Sequence, residues 1–220
     1  MMGKIKAFLF DLNGTMIDDM AFHISAWHSI LNSLGAELSL ERTKMECYGK
    51  NDELLERIFP GRFSADEKGT MSLEKERQYQ QAFRPLLKLI DGLPAFLAKA
   101  EQQQVRMAIG SAAIMFNIDF VLDGLELRKY FQVIVSADHV TESKPHPETY
   151  LKCADLLGVP YNECVVFEDS PKGIEAAERA GMKSVAITTM HEAHEFTSAD
   201  NILFIIKDFT DPQLERLFEK

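Results

Sequence analysis

The sequence is poor in the features that would place it in an oxidising compartment or a membrane. Its three cysteines, Cys47, Cys153 and Cys164, are an odd number with no CxxC pair among them. That excludes a disulfide framework and a zinc knuckle. Long apolar runs are missing as well: the uncharged stretch of residues 107–118 contains Gly110 and Ser111 and is too short to span a bilayer. At the N-terminus, only residues 7–10 separate Lys6 from Asp11, too few for the apolar centre of a signal peptide. Basic charge is scarce too, since 24 Lys and Arg stand against 34 Asp and Glu for a net charge of −10. Non-specific binding to nucleic acid or to an anionic membrane needs clustered basic residues and is excluded. The expected setting is the cytoplasm and the expected state a monomer. A small anionic partner would have to be drawn in locally, by a metal or by a few placed lysines.

What is present is enough apolar material, 46% of 220 residues, for one large domain or a core domain with an insert. Short runs rich in Val, Ile and Phe at residues 5–10, 105–109, 133–135, 164–167, 185–187 and 202–206 read as strands buried on both faces. Helical segments separate most of them. Gly92-Leu93-Pro94 opens one, residues 147–157 form another, residues 172–180 end at Gly181, and Asp211-Pro212 starts the last. Alternating strand and helix predicts an α/β fold, a doubly wound, Rossmann-like parallel sheet with helices on both faces. Residues 18–85 break the alternation. Met20, Ile24, Trp27, Leu31 and Leu34 repeat at helical spacing and stop at Gly35, and Ser64-Ala65-Asp66-Glu67 is a capping-box pattern. The predicted organisation is an α/β core of residues 1–17 and 88–220, with an α-helical cap of residues 18–87 inserted after the first strand.

In an open α/β sheet, ligands bind beyond the carboxyl ends of the strands. The residues that follow the apolar runs are therefore the informative ones: Asp11 and Asn13, Ser111, Lys144, and Glu168 with Asp169. Together they offer acids, an amide, a hydroxyl and one ammonium. That is the donor set of a Mg²⁺-dependent phosphoryl-transfer site, in which carboxylates hold the metal and the cation and hydroxyl orient phosphoryl oxygens. A remaining Asp is a candidate nucleophile, forming an aspartyl-phosphate.

Phe10-Asp11-Leu12-Asn13-Gly14-Thr15 with Asp18, Gly110-Ser111, Ser143-Lys144-Pro145, and Phe167-Glu168-Asp169-Ser170 with Gly173-Ile174 occur in that order along the chain. The set resembles the four motifs of the haloacid dehalogenase superfamily, and the insert resembles that superfamily's helical cap. Phe22-His23 and Ala26-Trp27 are similar to the β-phosphoglucomutase-like branch. The resemblance covers nearly the whole chain. It implies Asp11 as nucleophile and metal ligand, Asn13 as a backbone-carbonyl ligand, and Asp169 as a ligand with Glu168 direct or through water. It implies Ser111 and the Ala112 amide as phosphoryl-binding groups and Lys144 as the counter-ion of Asp11 and phosphate. In the cap, His23 would approach the site and Lys75 would contact a distal phosphate. Cap opening would admit substrate, and closure would exclude water.

One position departs from the pattern. The superfamily has an Asp as general acid/base where this chain has Asn13, and an amide cannot give up and retake a proton near neutral pH. The expected function is hydrolysis of a small phosphorylated metabolite such as a sugar phosphate, impaired by Asn13 unless His23 or water substitutes. The alternatives are a β-phosphoglucomutase, against which Asn13 and Asn51 (in place of a cap arginine) both count, and a catalytically silent metabolite-binding relative. A phosphorylation-dependent signalling receiver would use a similar donor set but carries no helical insert. Plainer readings exist for single residues. His23 fits a packing histidine one turn from Trp27, Lys75 a solvated charge within Glu74-Lys75-Glu76-Arg77, and His191-Glu192-Ala193-His194 a solvated loop one residue short of a zinc-protease helix.

Overall fold

The fold is described from a computed structural model covering residues 4–196 and 199–219. In chain order it comprises β1 (Ala7–Phe10), four helices, α1 (Met20–Ser33), α2 (Leu40–Glu46), α3 (Asn51–Ile58) and α4 (Ala65–Phe83), then α5 (Leu93–Gln102) and β2 (Arg106–Gly110). There follow α6 (Met115–Gly124), β3 (Val133–Val135), α7 (Glu148–Leu157), β4 (Cys164–Glu168), α8 (Pro171–Arg179), β5 (Lys183–Ile187) and β6 (Ile202–Ile206). The six apolar runs all become strands, because each carries β-branched or aromatic residues over a strand's length. The last helix, expected to begin at Asp211-Pro212, is instead a 3₁₀ segment, Pro212–Phe218. Helices α2 and α6 lack a strong sequence signal. The chain divides into two compact units, residues 1–18 with 88–220, and residues 19–87.

The first unit is one six-stranded sheet in the order β3-β2-β1-β4-β5-β6, and every adjacent pair is parallel. Strand β1 lies at its centre, with Phe10 beside Ile109 of β2 and Phe167 of β4. Its alternation sends Ala7 and Leu9 to one face and Phe8 and Phe10 to the other. The first face joins Val166 with Tyr150, Cys153, Ala154 and Leu157 of α7 and Ala176 and Ala177 of α8. Small residues there let helices lie close to the sheet. The opposite face is aromatic: the rings of Phe10 and Phe167 stack at 4.8 Å, and Phe8 and Phe167 meet Phe96 of α5 at 5.2 Å each. Each phenylalanine buried this way is worth about 1.5–3 kcal/mol.

The helical unit has its own core, in which Trp27, Ile30 and Leu31 of α1 pack with Leu54 and Leu55 of α3 and with Phe59. Its α4 begins with both halves of the capping box, as Ser64 Oγ accepts from Glu67 N and Glu67 Oε2 accepts from Ser64 N. Among the described residues no helix is long and apolar enough to cross a membrane.

Gly92, which opens α5, has φ +81°, and an added Cβ would lie 2.4 Å from the Phe209 carbonyl carbon. Gly92→Ala should therefore destabilise the protein by at least about 1–3 kcal/mol, read as a lower urea midpoint. An unchanged midpoint would show that this junction yields.

Candidate active site

The sheet order reverses direction at β1. Strands β2 and β3 lie on one side and β4 to β6 on the other, so the crevice beyond the carboxyl ends of β1 and β4 is the topological switch point. The β1–β4 register carries Asp11 and Glu168 into that crevice side by side, and Asp11 N donates to Phe167 O at 3.0 Å. The β1–β2 register brings the Gly110–Ser111 junction alongside Asp11.

Lys144 crosses the crevice, its side chain buried. The ammonium donates to Asp11 Oδ1 at 2.6 Å, to Glu168 Oε1 at 2.6 Å and to Gly110 O at 3.0 Å, which uses its three donors. Burial alone would lower its pKa, but the Asp11 and Glu168 carboxylates outweigh this and hold it above the usual lysine range, so it stays charged. Glu168 is saturated as an acceptor. Besides Lys144, Oε1 accepts from Tyr150 Oη at 2.7 Å, and Oε2 accepts from Asp169 N, Ser170 N and Ser170 Oγ at 3.1 Å each.

Asp169 is 4% exposed, and its carboxyl is pushed well above the usual carboxylate range by burial first, then by Glu168 and Asp11. Gly14 makes room for it: with φ +78°, Gly14 lies where a Cβ would meet Asp169 Oδ2 at 2.0 Å. Thr15 Oγ1 donates to Asp169 Oδ1 at 3.3 Å, and the turn is tied by Gly14 N to Ile17 O at 2.8 Å. Asn13 is half-buried beside Ile17 in this turn. Ser111 is buried and its Oγ accepts from Ala113 N at 3.1 Å, with half-buried Ala112 between them.

One carboxylate oxygen each from Asp11, Glu168 and Asp169 falls within 4.8 Å of the others. Three carboxylates thus face one ammonium in a buried crevice. Hard oxygen donors, a deficit of positive charge and the cradle at Gly14 all fit a divalent cation of the Mg²⁺ kind.

His23 and Lys75 belong to the helical unit, where the structure brings them together. Lys75 is 3% exposed, which corrects the solvated reading. Its ammonium donates to His23 Nδ1 at 2.5 Å and to Glu76 Oε1 at 2.9 Å. An ammonium can only donate, so Nδ1 is the acceptor and the ring proton lies on Nε2, 3.2 Å from Asp19 Oδ2. The ring of His23 stacks on Tyr79 at 3.7 Å. Burial would raise the Glu76 carboxyl, but the Lys75 ammonium and the amide of Asn51 bring it below the usual range. Asn51 spends its amide nitrogen on Ser72 Oγ at 2.6 Å and Glu76 Oε1 at 2.8 Å. Sequence reasoning assigned no role to Tyr150, Thr15, Ser170 or Glu76. For Tyr150 a signal existed, a phenol among otherwise apolar inward positions of α7. At the other end of the chain, His191 pairs with Glu195 at 2.9 Å and joins no metal cluster among the described residues.

Residues 8–187 match the family model for haloacid dehalogenase-like hydrolases. The chain belongs to that family. Fructose-1-phosphate phosphatase YqaB of Escherichia coli is 31% identical, over 84% of this chain and 97% of that protein. β-Phosphoglucomutase of Bacillus subtilis is 27% identical, over 98% and 95%. Among solved structures, a family IA, variant 3 hydrolase from Entamoeba histolytica superposes with a TM-score of 0.85 at 27% identity, covering 97% of this chain and 98% of that one.

For this haloacid dehalogenase-like hydrolase the buried carboxyls predict a linked effect of metal and pH. The folded-state pKa of Asp169 lies above its unfolded value of about 4. Above that value the unfolded chain releases a proton that the fold retains, so metal-free stability falls as pH rises toward the folded pKa. Mg²⁺ should raise the melting temperature, and by more at about pH 8 than at about pH 5. Asp169→Asn should abolish the metal-induced shift. A melting temperature indifferent to Mg²⁺ at both pH values would sink the assignment.

Proposed function

We propose that this chain is a Mg²⁺-assisted phosphatase acting through Asp11 on a small singly phosphorylated metabolite, a sugar or polyol phosphate. The observation that carries the reading is the Lys144 ammonium bound to Asp11 and Glu168 beside the buried Asp169. The relatives named above, one a phosphatase of a sugar phosphate and one a phosphosugar mutase, support the substrate class. Three cysteines that stay free, two of them buried with thiols pushed up to about 12 by burial, support a reducing, cytoplasmic setting.

In this reading an Asp11 oxygen attacks phosphorus in line with the departing oxygen. The bond to the leaving group breaks, and an acyl phosphate forms on Asp11 that water later cleaves. Lys144 pairs with Asp11 and offsets charge on the transferring group. Ser111 and the Ala112 amide hold phosphoryl oxygens. Mg²⁺ would be held by Asp11, Asp169 and the Asn13 carbonyl, and would neutralise the carboxylates and the phosphoryl oxygens. Binding therefore survives at Asn13, because the metal uses its backbone oxygen.

Proton transfer does not survive there. The departing oxygen needs a proton, Asn13 has none to exchange, and general acid–base help is worth roughly 10²–10⁴-fold. His23 is an unpromising substitute, since Lys75 occupies Nδ1 and Asp19 faces Nε2. Turnover is accordingly slow. A mutase needs that proton in both half-reactions, which places it second. Within the helical unit, His23 and Lys75 are the candidate substrate-binding groups. Asp19 and Glu76 outnumber the one ammonium in their cluster, which favours hydroxyls there over a second phosphate.

The test is phosphate release from sugar monophosphates, sugar bisphosphates and nucleotides, with and without Mg²⁺. Asn13→Asp should raise turnover by about 10²–10⁴-fold, and Asp11→Ala should abolish it in either background. Monophosphates should exceed bisphosphates at least about tenfold in kcat/KM. Binding of a sugar phosphate without turnover by any form would replace the phosphatase with a silent metabolite-binding protein.

A further inference from the structure

Tyr150 is completely buried on α7, among the apolar residues Cys153, Ala154 and Leu157 that pack with it against the sheet. Packing alone would be served equally by a phenylalanine, so the hydroxyl is the atom to explain. A buried phenol needs a partner, and this one donates to Glu168 Oε1 at 2.7 Å. The same residue meets the other half of the ion pair, because the Lys144 ammonium lies 4.7 Å from the centroid of the Tyr150 ring. The ring has little room to move: a Cβ added at Gly110 would come within 3.2 Å of Tyr150 Cδ1 and 3.0 Å of Cys153 Sγ. One rigid side chain therefore touches both the carboxylate and the ammonium of the Lys144–Glu168 pair.

The lone-pair count at Glu168 gives that contact its meaning. A carboxylate offers about four acceptor sites, and Lys144, Tyr150, Asp169 N, Ser170 N and Ser170 Oγ already donate to this one. We propose that Tyr150 is a positioning residue, whose hydroxyl fills Oε1 so that Glu168 holds Lys144 against Asp11 and stays out of the metal's ligand set. Glu168 then acts as an internal counter-ion that Tyr150 and the β4–α8 turn pin from opposite sides. Without the hydroxyl, Oε1 swings toward the cation, and Lys144 loses the anchor that keeps it on Asp11.

The inference rests on the phosphoryl-transfer reading, but its test does not need turnover. In the full chain, Tyr150→Phe keeps the ring and its packing and removes only the hydroxyl. Mg²⁺ titrated calorimetrically should bind the variant at least about threefold more tightly than the parent. Where turnover is measurable, kcat should fall about tenfold with KM for the phosphorylated substrate little changed. Tyr150→Phe made on a Glu168→Gln background should leave Mg²⁺ affinity where Glu168→Gln alone puts it, because the effect travels through that carboxylate. Unchanged or weaker Mg²⁺ binding by Tyr150→Phe, or the same change in both backgrounds, would overturn the proposal whatever happens to kcat. Absence of turnover in the parent would count against the phosphatase alone, with the metal titration still deciding the role of Tyr150.

Discussion

A buried ammonium among buried carboxylates is the constraint around which the α/β unit is organised. Removing Lys144, Asp11, Glu168 and Asp169 from water costs several kcal/mol per ion unless each finds a partner. The fold supplies those partners from separate pieces of chain. Strand β1 delivers Asp11, β2 delivers the Gly110 carbonyl, β4 delivers Glu168, and the loop before α7 delivers Lys144. None of these groups is near another in sequence. Only a parallel sheet with a reversal at β1 sets their strand ends side by side. Even then the charges do not balance, and the Asp169 carboxyl is raised by burial first and then by Glu168 and Asp11. Three carboxylates around one ammonium are a donor set that fits a divalent cation.

The turn after β1 shows how finely binding and proton transfer separate. Gly14 is there because Asp169 occupies the space a side chain would need. Asn13, one residue earlier, offers its backbone oxygen regardless of its side chain. Exchanging a carboxylate for an amide at that position keeps the backbone carbonyl while removing a group able to exchange protons. The helical unit follows a similar rule with different parts. Lys75 is held between His23 and Glu76, and Asn51 is held by Ser72 and Glu76, so its polar groups are fixed by one another.

Much of this was legible in the sequence. The six strands could be read because strands buried on both faces must be apolar throughout, and the site acids could be read because they interrupt those runs at their carboxyl ends. Helices α1 and α4 were legible through their apolar spacing and the Ser64–Glu67 capping box. The 3₁₀ segment at Pro212–Phe218 was not, since a first-turn proline suits either helix type. Nor was Lys75, whose neighbours Glu74 and Arg77 are exposed and gave the stretch a solvated look. By itself the sequence determined the fold class and the acid–amide–hydroxyl–ammonium donor set, since these depend on residue type and local period. Only the tertiary structure decided that Tyr150 meets Glu168, that Lys75 is buried against His23, and that Asn51 turns to Glu76. Those pairings join residues 18, 52 and 25 positions apart, and no periodicity within a single helix or strand reaches across such distances.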